Sequence, residues 1–229
     1  MKKLVLFSGA GISAESGLKT FRDSGGLWEN YSIYEVATPE AFAKNPQLVL
    51  DFYNMRRTQL ENAFPNEAHK MGVKLEEYYD VHIITQNVDD LHERAGSKKV
   101  LHLHGELRMV RSTKNPSIRK DIVYQSVSLG DTASDGAQWR PDIVWFGEAV
   151  PKMDEAIAIV RKADILVTVG TSLNVYPAAG LVDAANENCL KYIIDPNADE
   201  ILSVSDMHII KEKAGTGMSR LFNILSEHD

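Results

Sequence analysis

Cysteine is almost absent: Cys189 is the single one in 229 residues, which excludes an internal disulfide and any zinc site closed by four thiolates. Its flanks, Asn188 and Leu190, read as the entry to a buried strand, so a thiol nucleophile is not expected either. No stretch approaches the roughly 20 consecutive apolar residues that span a bilayer, and the start of the chain is strand-like with no signal-peptide organisation. A soluble, cytoplasmic protein with no membrane partner is expected. Positive charge is also scarce. Lys and Arg number 25 against 32 Asp and Glu, a formal net charge of −7, and no basic run offsets it, which argues against direct nucleic-acid binding. Internal repeats and low-complexity segments are absent, and the length suits one main domain with a smaller inserted module.

What is present begins at the N-terminus. The apolar run 4–7 feeds into Gly9-Ala10-Gly11-Ile12-Ser13-Ala14, a G-x-G-x-x-A spacing. A strand that breaks at glycines and turns into a helix offers unpaired N–H groups and a positive dipole end to a pyrophosphate. An ordinary dehydrogenase is excluded, because it needs a second strand ending in an acidic residue about 20 positions on; residues 19–28 are no strand. Further apolar runs at 81–85, 143–145, 165–169 and 192–194 read as buried parallel strands, with helical stretches at 153–162 and 178–187. The pattern is that of a doubly wound α/β sheet. Two stretches interrupt it. Residues 27–79 read mainly as helices, one opening at Asn45-Pro46 and running toward Ala63, and residues 108–140 are polar with turn signals, including a loop at 130–136 expected to be mobile.

Polar and glycine residues collect where these strands end: Gln86-Asn87-Val88-Asp89, His104-Gly105-Glu106, Phe146-Gly147-Glu148 and Gly170-Thr171-Ser172. Strand exits are often polar simply because they are loops, but four at one sheet edge beside a glycine turn point to a ligand site. Together with Phe21-Arg22-Asp23 and Asn174-Val175-Tyr176-Pro177, these segments resemble, in order and over nearly the whole chain, the sirtuin family.

The resemblance implies an NAD-dependent protein-lysine deacylase that takes acylated-lysine proteins or peptides as substrates and releases nicotinamide and O-acyl-ADP-ribose. It also implies a Rossmann-like parallel sheet, at about 1–26, 80–104 and 141–229, with a small domain built from two insertions, at about 27–79 and 105–140. On the family pattern Gly9, Ala10, Gly11, Ile12 and Ser13 cradle the pyrophosphate, and Phe21, Arg22, Asp23 and Trp28 belong to a loop that closes over NAD. Gln86, Asn87 and Val88 orient the nicotinamide ribose, with Asn87 also catalytic, and Asp89 accepts from the carboxamide. Gly170, Thr171, Ser172, Asp195 and Thr216 lie on the adenosine side. His104 is the general base, suited by a reference pKa of about 6.5; His92 and His102 are read as structural. Val144, Phe146, Gly147, Glu148, Asn174 and Val175 hold the substrate peptide as an added strand. Tyr53 and Arg56, three apart on a helix, resemble the subclass that grips succinyl and malonyl chains by the distal carboxylate, while Arg57 reads as a surface residue. ADP-ribose transfer to protein or water uses the same NAD pocket and is the alternative activity; a noncatalytic NAD-binding module is disfavoured by Asn87, Asp89 and His104 together.

The chain departs from the family at the metal. Ser112 stands where a first zinc cysteine is expected and no cysteine follows before Cys189, so Ile118, Ile122, Val123, Tyr124 and Val127 are expected to supply replacement packing. Chelators are therefore expected neither to unfold nor to inhibit the protein. Elemental analysis finding one tightly bound zinc per chain contradicts this.

Overall fold

The computed structural model describes residues 1–20, 31–201 and 206–226. Strand β1 (Lys3–Ser8) leads into a 3-10 helix (Ala10–Ser16), followed by helices α1 (Ile33–Val36), α2 (Pro39–Lys44), α3 (Pro46–Glu61) and α4 (Glu67–Leu75). Next come β2 (Asp80–Thr85), α5 (Leu91–Ala95), β3 (Val100–His102), β4 (Gly105–Ser112), β5 (Arg119–Asp121) and β6 (Trp139–Ile143). The chain closes with α6 (Met153–Val160), β7 (Ile165–Val169), a 3-10 helix (Ala178–Ala184), β8 (Leu190–Ile194), β9 (His208–Ile210) and α7 (Ala214–Ser226). Local chemistry sets the helix starts. Thr38 and Asn45 accept from the Ala41 and Leu48 N–H groups at 3.0 and 3.2 Å, and each precedes a proline whose missing N–H costs nothing at the first helical position.

Six parallel strands form the main sheet in the order β3-β2-β1-β7-β8-β9. Alternate side chains of β1 feed two cores: Leu4 and Leu6 pack with α4 and α7, and Val5 and Phe7 with α6 and residues 178–184. Both faces are buried, which is why these strands read as continuous apolar runs. The register is level, His102, Thr85, Ser8, Val169, Ile194 and Ile210 standing in one row. The segments that follow each strand therefore leave at one edge.

Three expectations are corrected. Residues 143–145 are not a parallel strand of this sheet: the strand there is β6, which ends at Ile143 and runs antiparallel to β4 in a separate sheet ordered β5-β4-β6. The helix expected at 178–187 is a 3-10 helix ending at Ala184. In the small sheet, Ile122 and Val127 pack against Leu50 and Val110, and Tyr124 joins the cluster around Phe52 and Trp145. Val123 is exposed, with a φ of 53°, and does not pack as expected. Ser112, buried, donates to Asp135 Oδ2 at 2.7 Å and accepts from the Lys114 and Asn115 N–H groups at 3.1 and 3.2 Å. A hydrogen-bonded knot thus ties the turn where the family pattern has a metal ligand.

His69 and His92 stack edge to face with centroids 4.9 Å apart, both buried. Burial pushes His69 down to about 4 and His92 well below its ordinary value. In the unfolded chain both take up protons near pH 6.5. Between about pH 6 and 4.5 the unfolded state therefore binds more protons than the folded one, and stability falls as pH drops. In denaturant titrations His69→Gln is expected to flatten that slope by up to about 1.4 kcal/mol per pH unit; an unchanged slope contradicts the assignment.

Candidate active site

Three glycines bring the loops after β1 and β7 into backbone contact. The Gly9 N–H donates to Val169 O at 3.0 Å and the Gly11 N–H to Gly170 O at 2.9 Å. A Cβ on Gly9 would stand 2.7 Å from that of Thr171, one on Gly11 2.7 Å from Gly170 Cα, and one on Gly170 2.4 Å from the Ile12 nitrogen. The glycine spacing is thus a packing requirement as well as a ligand turn. The segment is a seven-residue 3-10 helix rather than an α-helix, and the Gly9, Gly11 and Ile12 N–H groups are already spent inside the protein. Ala10, at the first helical position, has no helical carbonyl to reach.

A cavity of about 830 Å³ opens above this contact, a volume in the range of small-molecule sites. Its wall includes Gly9, Ala10, Gly11, Gln86, Asn87, Val88, His104, Gly170, Thr171, Ser172 and Asp195. Ser13 and Asp89 line a small adjoining recess that shares Ala10, Arg56, Asn87 and Val88 with the cavity. Two of the residues expected there are elsewhere. Ile12 is fully buried in the sheet core, and Thr216 is exposed on α7 with its hydroxyl on Lys213 O at 3.1 Å; Lys213 and Ala214 take that stretch of wall instead. Phe21, Arg22, Asp23 and Trp28 lie outside the described residues.

The polar groups at the cavity floor are held by one another. Asn87 Nδ2 donates to Gly9 O and to Ser13 Oγ, both at 3.1 Å, and Ser13 Oγ donates to Asp89 Oδ2 at 3.0 Å. Burial raises the Asp89 carboxyl, against the hydrogen bonds from Leu91 N–H and Ser13. His104 Nδ1 lies 3.1 Å from Gln86 O. A carbonyl only accepts, so Nδ1 carries the proton and Nε2 keeps its lone pair. Burial lowers the pKa of His104, which keeps that lone pair available at neutral pH. His102, by contrast, is buried between Asn87 O at 3.0 Å and Glu93 Oε1 at 2.7 Å, a structural position that fixes the Asn87 backbone. His92 is bound to Ser8 Oγ at 3.0 Å.

The rest of the wall includes Tyr53, Arg56, Val144, Trp145, Phe146, Gly147, Glu148, Asn174 and Val175, with Arg56 also bordering the recess of Ser13 and Asp89. The Tyr53 hydroxyl, buried, accepts from Trp145 Nε1 at 2.9 Å. Burial, opposed by Arg56, pushes the phenol up to about 12. The Glu148 carboxylate, at the cavity lining, is bound to Arg140 at 2.7 Å, Arg111 at 3.1 Å and the Trp145 N–H at 2.8 Å, so it also shapes the loop. Arg57 is not a surface residue. It is fully buried, with Nε on Leu107 O at 2.7 Å and Nη1 on Asn54 Oδ1 at 2.8 Å. Sequence reasoning placed Trp145 in a strand and in the segment 144–148 that holds the peptide, and missed its bond to Tyr53. It also missed Glu15, which lines the cavity and accepts the Gly215 N–H at 2.8 Å; that pairing spans 200 residues and has no local signal.

The profile of the Sir2 family matches residues 9–177. The NAD-dependent protein deacylase of Helicobacter pylori strain J99 is 56% identical over 230 residues, covering 99% of this chain and 97% of the relative. That of Bacteroides thetaiotaomicron is 49% identical, covering 98% of each. Among solved structures, a Sir2 homologue in complex with NAD superposes with a TM-score of 0.87 at 39% identity, covering 99% of this chain and 90% of the other. A mutant Sir2 homologue bound to 2′-O-acetyl ADP-ribose gives 0.89 at 38% identity, covering 99% and 93%.

Gly105 joins the two walls. It follows His104, has a φ of 82°, and a Cβ there would stand 1.9 Å from Asp142 O on β6. Gly130 has a φ of 95° with open space around it. Gly105→Ala is expected to destabilise the protein by about 2 kcal/mol more than Gly130→Ala, since only the former adds a clash to the backbone cost. Equal losses in thermal and denaturant melts contradict this.

Proposed function

The chain belongs to the Sir2 family, and from that premise we infer an NAD-dependent protein deacylase whose acyl pocket also takes acidic chains. The fit to NAD rests on the cavity itself: its volume, the glycine contact at its floor and the amide, hydroxyl and carboxyl groups of Gln86, Asn87, Thr171, Ser172 and Asp195 around it. NAD, when bound, supplies an electrophilic ribose carbon by loss of nicotinamide and carries the acyl group away. The protein's part is to orient and to move a proton. Asn87 and Ser13, locked by mutual hydrogen bonds, orient the ribose end, and Asp89 in the adjoining recess meets the carboxamide. His104 Nε2 takes a proton from a ribose hydroxyl, its tautomer fixed by Gln86 O.

The single observation that carries the acidic-chain reading is that Tyr53 and Arg56, which interact electrostatically, line the same cavity as Val144 and Phe146. A cation and a phenol one helical turn apart suit a carboxylate at the end of an acyl chain, a charge-assisted bond of about 1.5–3 kcal/mol. The substrate peptide runs along Val144, Gly147 and Asn174 by main-chain hydrogen bonds. We place the enzyme in the cytoplasm, where NAD and acylated proteins are both at hand.

The test follows nicotinamide release from NAD with acetyl-lysine and succinyl-lysine peptides. Wild type is expected to cleave both. His104→Ala is expected to lose about 10²- to 10⁴-fold in turnover while still binding NAD. Arg56→Met is expected to lower the succinyl-to-acetyl ratio of kcat/KM by about 10- to 100-fold, the worth of one charge-assisted bond. Near-normal turnover in His104→Ala sinks the base assignment, and no succinyl cleavage by wild type sinks the acyl pocket.

A further inference from the structure

The Tyr53 hydroxyl has one proton and sits where its direction decides what the pocket accepts. We propose that Trp145 is a specificity-determining residue, whose indole N–H occupies the acceptor side of the Tyr53 hydroxyl and turns the O–H toward the acyl chain, favouring an anionic terminus over a neutral one of equal size. The inference rests on the acyl-pocket reading above and adds a residue that acts through Tyr53.

Three observations carry it. Trp145 Nε1 donates to the Tyr53 oxygen at 2.9 Å, and both side chains are about 98% buried, each being 2% exposed. A hydroxyl rotates about its C–O bond to suit its partners; with a donor at that position, the O–H points elsewhere, and among the described residues it meets no acceptor. Tyr53, Trp145 and Arg56 line the same cavity, and the proposed orientation directs the proton toward that cavity. Second, the indole cannot turn away. The Arg140 guanidinium lies 3.4 Å from its ring centroid and is itself held by Glu148 and by Ile143 O at 3.0 Å, and the Trp145 main-chain N–H is bound to Glu148 Oε2 at 2.8 Å. Third, Tyr53 stays protonated across the working pH range, burial having pushed it up to about 12. A phenol that is always a donor, next to a guanidinium, offers two donors and favours a group that only accepts. A carboxylate is such a group. A terminal carboxamide of the same size presents N–H donors as well and matches the pair less well.

The experiment compares peptides bearing succinyl-lysine, its terminal carboxamide isostere and acetyl-lysine, in wild type, Trp145→Phe, Tyr53→Phe and the double variant. Trp145→Phe is expected to lower the succinyl-to-carboxamide and succinyl-to-acetyl ratios of kcat/KM three- to tenfold, mainly through KM. In the Tyr53→Phe background the same change is expected to alter neither ratio. Benzothienylalanine at position 145, which exchanges the N–H for sulfur at constant ring shape, is expected to reproduce the loss and serves where Trp145→Phe folds poorly. A merely structural role lowers all three substrates in parallel and adds to Tyr53→Phe. Parallel or additive loss therefore overturns the inference while leaving the acyl pocket standing, as long as Arg56→Met still lowers the succinyl-to-acetyl ratio. No succinyl cleavage by wild type overturns both.

Discussion

The site depends on two loops touching through their backbones. Gly9 and Gly11 after β1, and Gly170 after β7, approach so closely that a Cβ on any of them would meet heavy atoms at 2.8 Å or less. Main-chain bonds from the Gly9 and Gly11 N–H groups seal the contact. Because the strands end in level register, this fixes the height of the cavity floor. Asn87, hydrogen-bonded to Gly9 O, inherits its position from the same contact, and Gln86, which donates to Thr171 Oγ1 at 3.0 Å, ties in the third loop. The polar side chains are thus held by backbone geometry, which is stiff, rather than by one another alone.

The opposite wall is held by charge. Asp142, buried on β6, pairs with Arg119 and Arg111, and Arg111 reaches on to Glu148, which Arg140 also holds. Desolvating such groups is costly and their mutual attraction repays it only when the geometry is good. Here the return is positional. The network ties the small sheet to the turn at residues 145–148, whose amide and indole it orients. With Ser112 and Asp135 closing the far turn, the antiparallel sheet has polar cross-links at both ends, and Ile122, Val127, Val110 and Leu50 between them.

The sheet was legible because its strands are buried on both faces and so read as unbroken apolar runs between glycine and polar exits. Helix α3 was legible from Asn45-Pro46, which is a cap followed by a residue that needs no N–H. The errors share a cause. Residues 143–145 are apolar enough for a strand, yet Trp145 leaves the ladder because its amide is taken by Glu148 and Phe146 donates to Ala37 O at 3.0 Å. For Glu148, no local pattern reveals that Arg140 and Arg111 converge on it. Partners distant in sequence decide where a polar side chain faces, and spacing carries no record of them.

Arg57 shows the same limit and explains how α3 serves two masters. Its helical position next to Arg56 gave no hint of burial, and the helix has only a weak apolar stripe. Yet Arg57 is fully buried with no carboxylate bound to it among the described residues, and burial pushes its pKa down to about 10, which still leaves it charged at neutral pH. Neutral oxygens do the work of a counter-ion: Leu107 O on β4 and Asn54 Oδ1, the latter also accepting the Val127 N–H at 2.9 Å. Leu107 in turn donates its own N–H to Val88 O at 2.8 Å. One guanidinium therefore joins the helix carrying Tyr53 and Arg56 to the strand-exit segment carrying Asn87 and Asp89. A lysine has no planar fork with which to reach two oxygens in different directions, so the arginine fits this position by geometry more than by charge, and the helix bearing Tyr53 and Arg56 and the segment bearing Asn87 and Asp89 are set at a fixed distance by the residue between them.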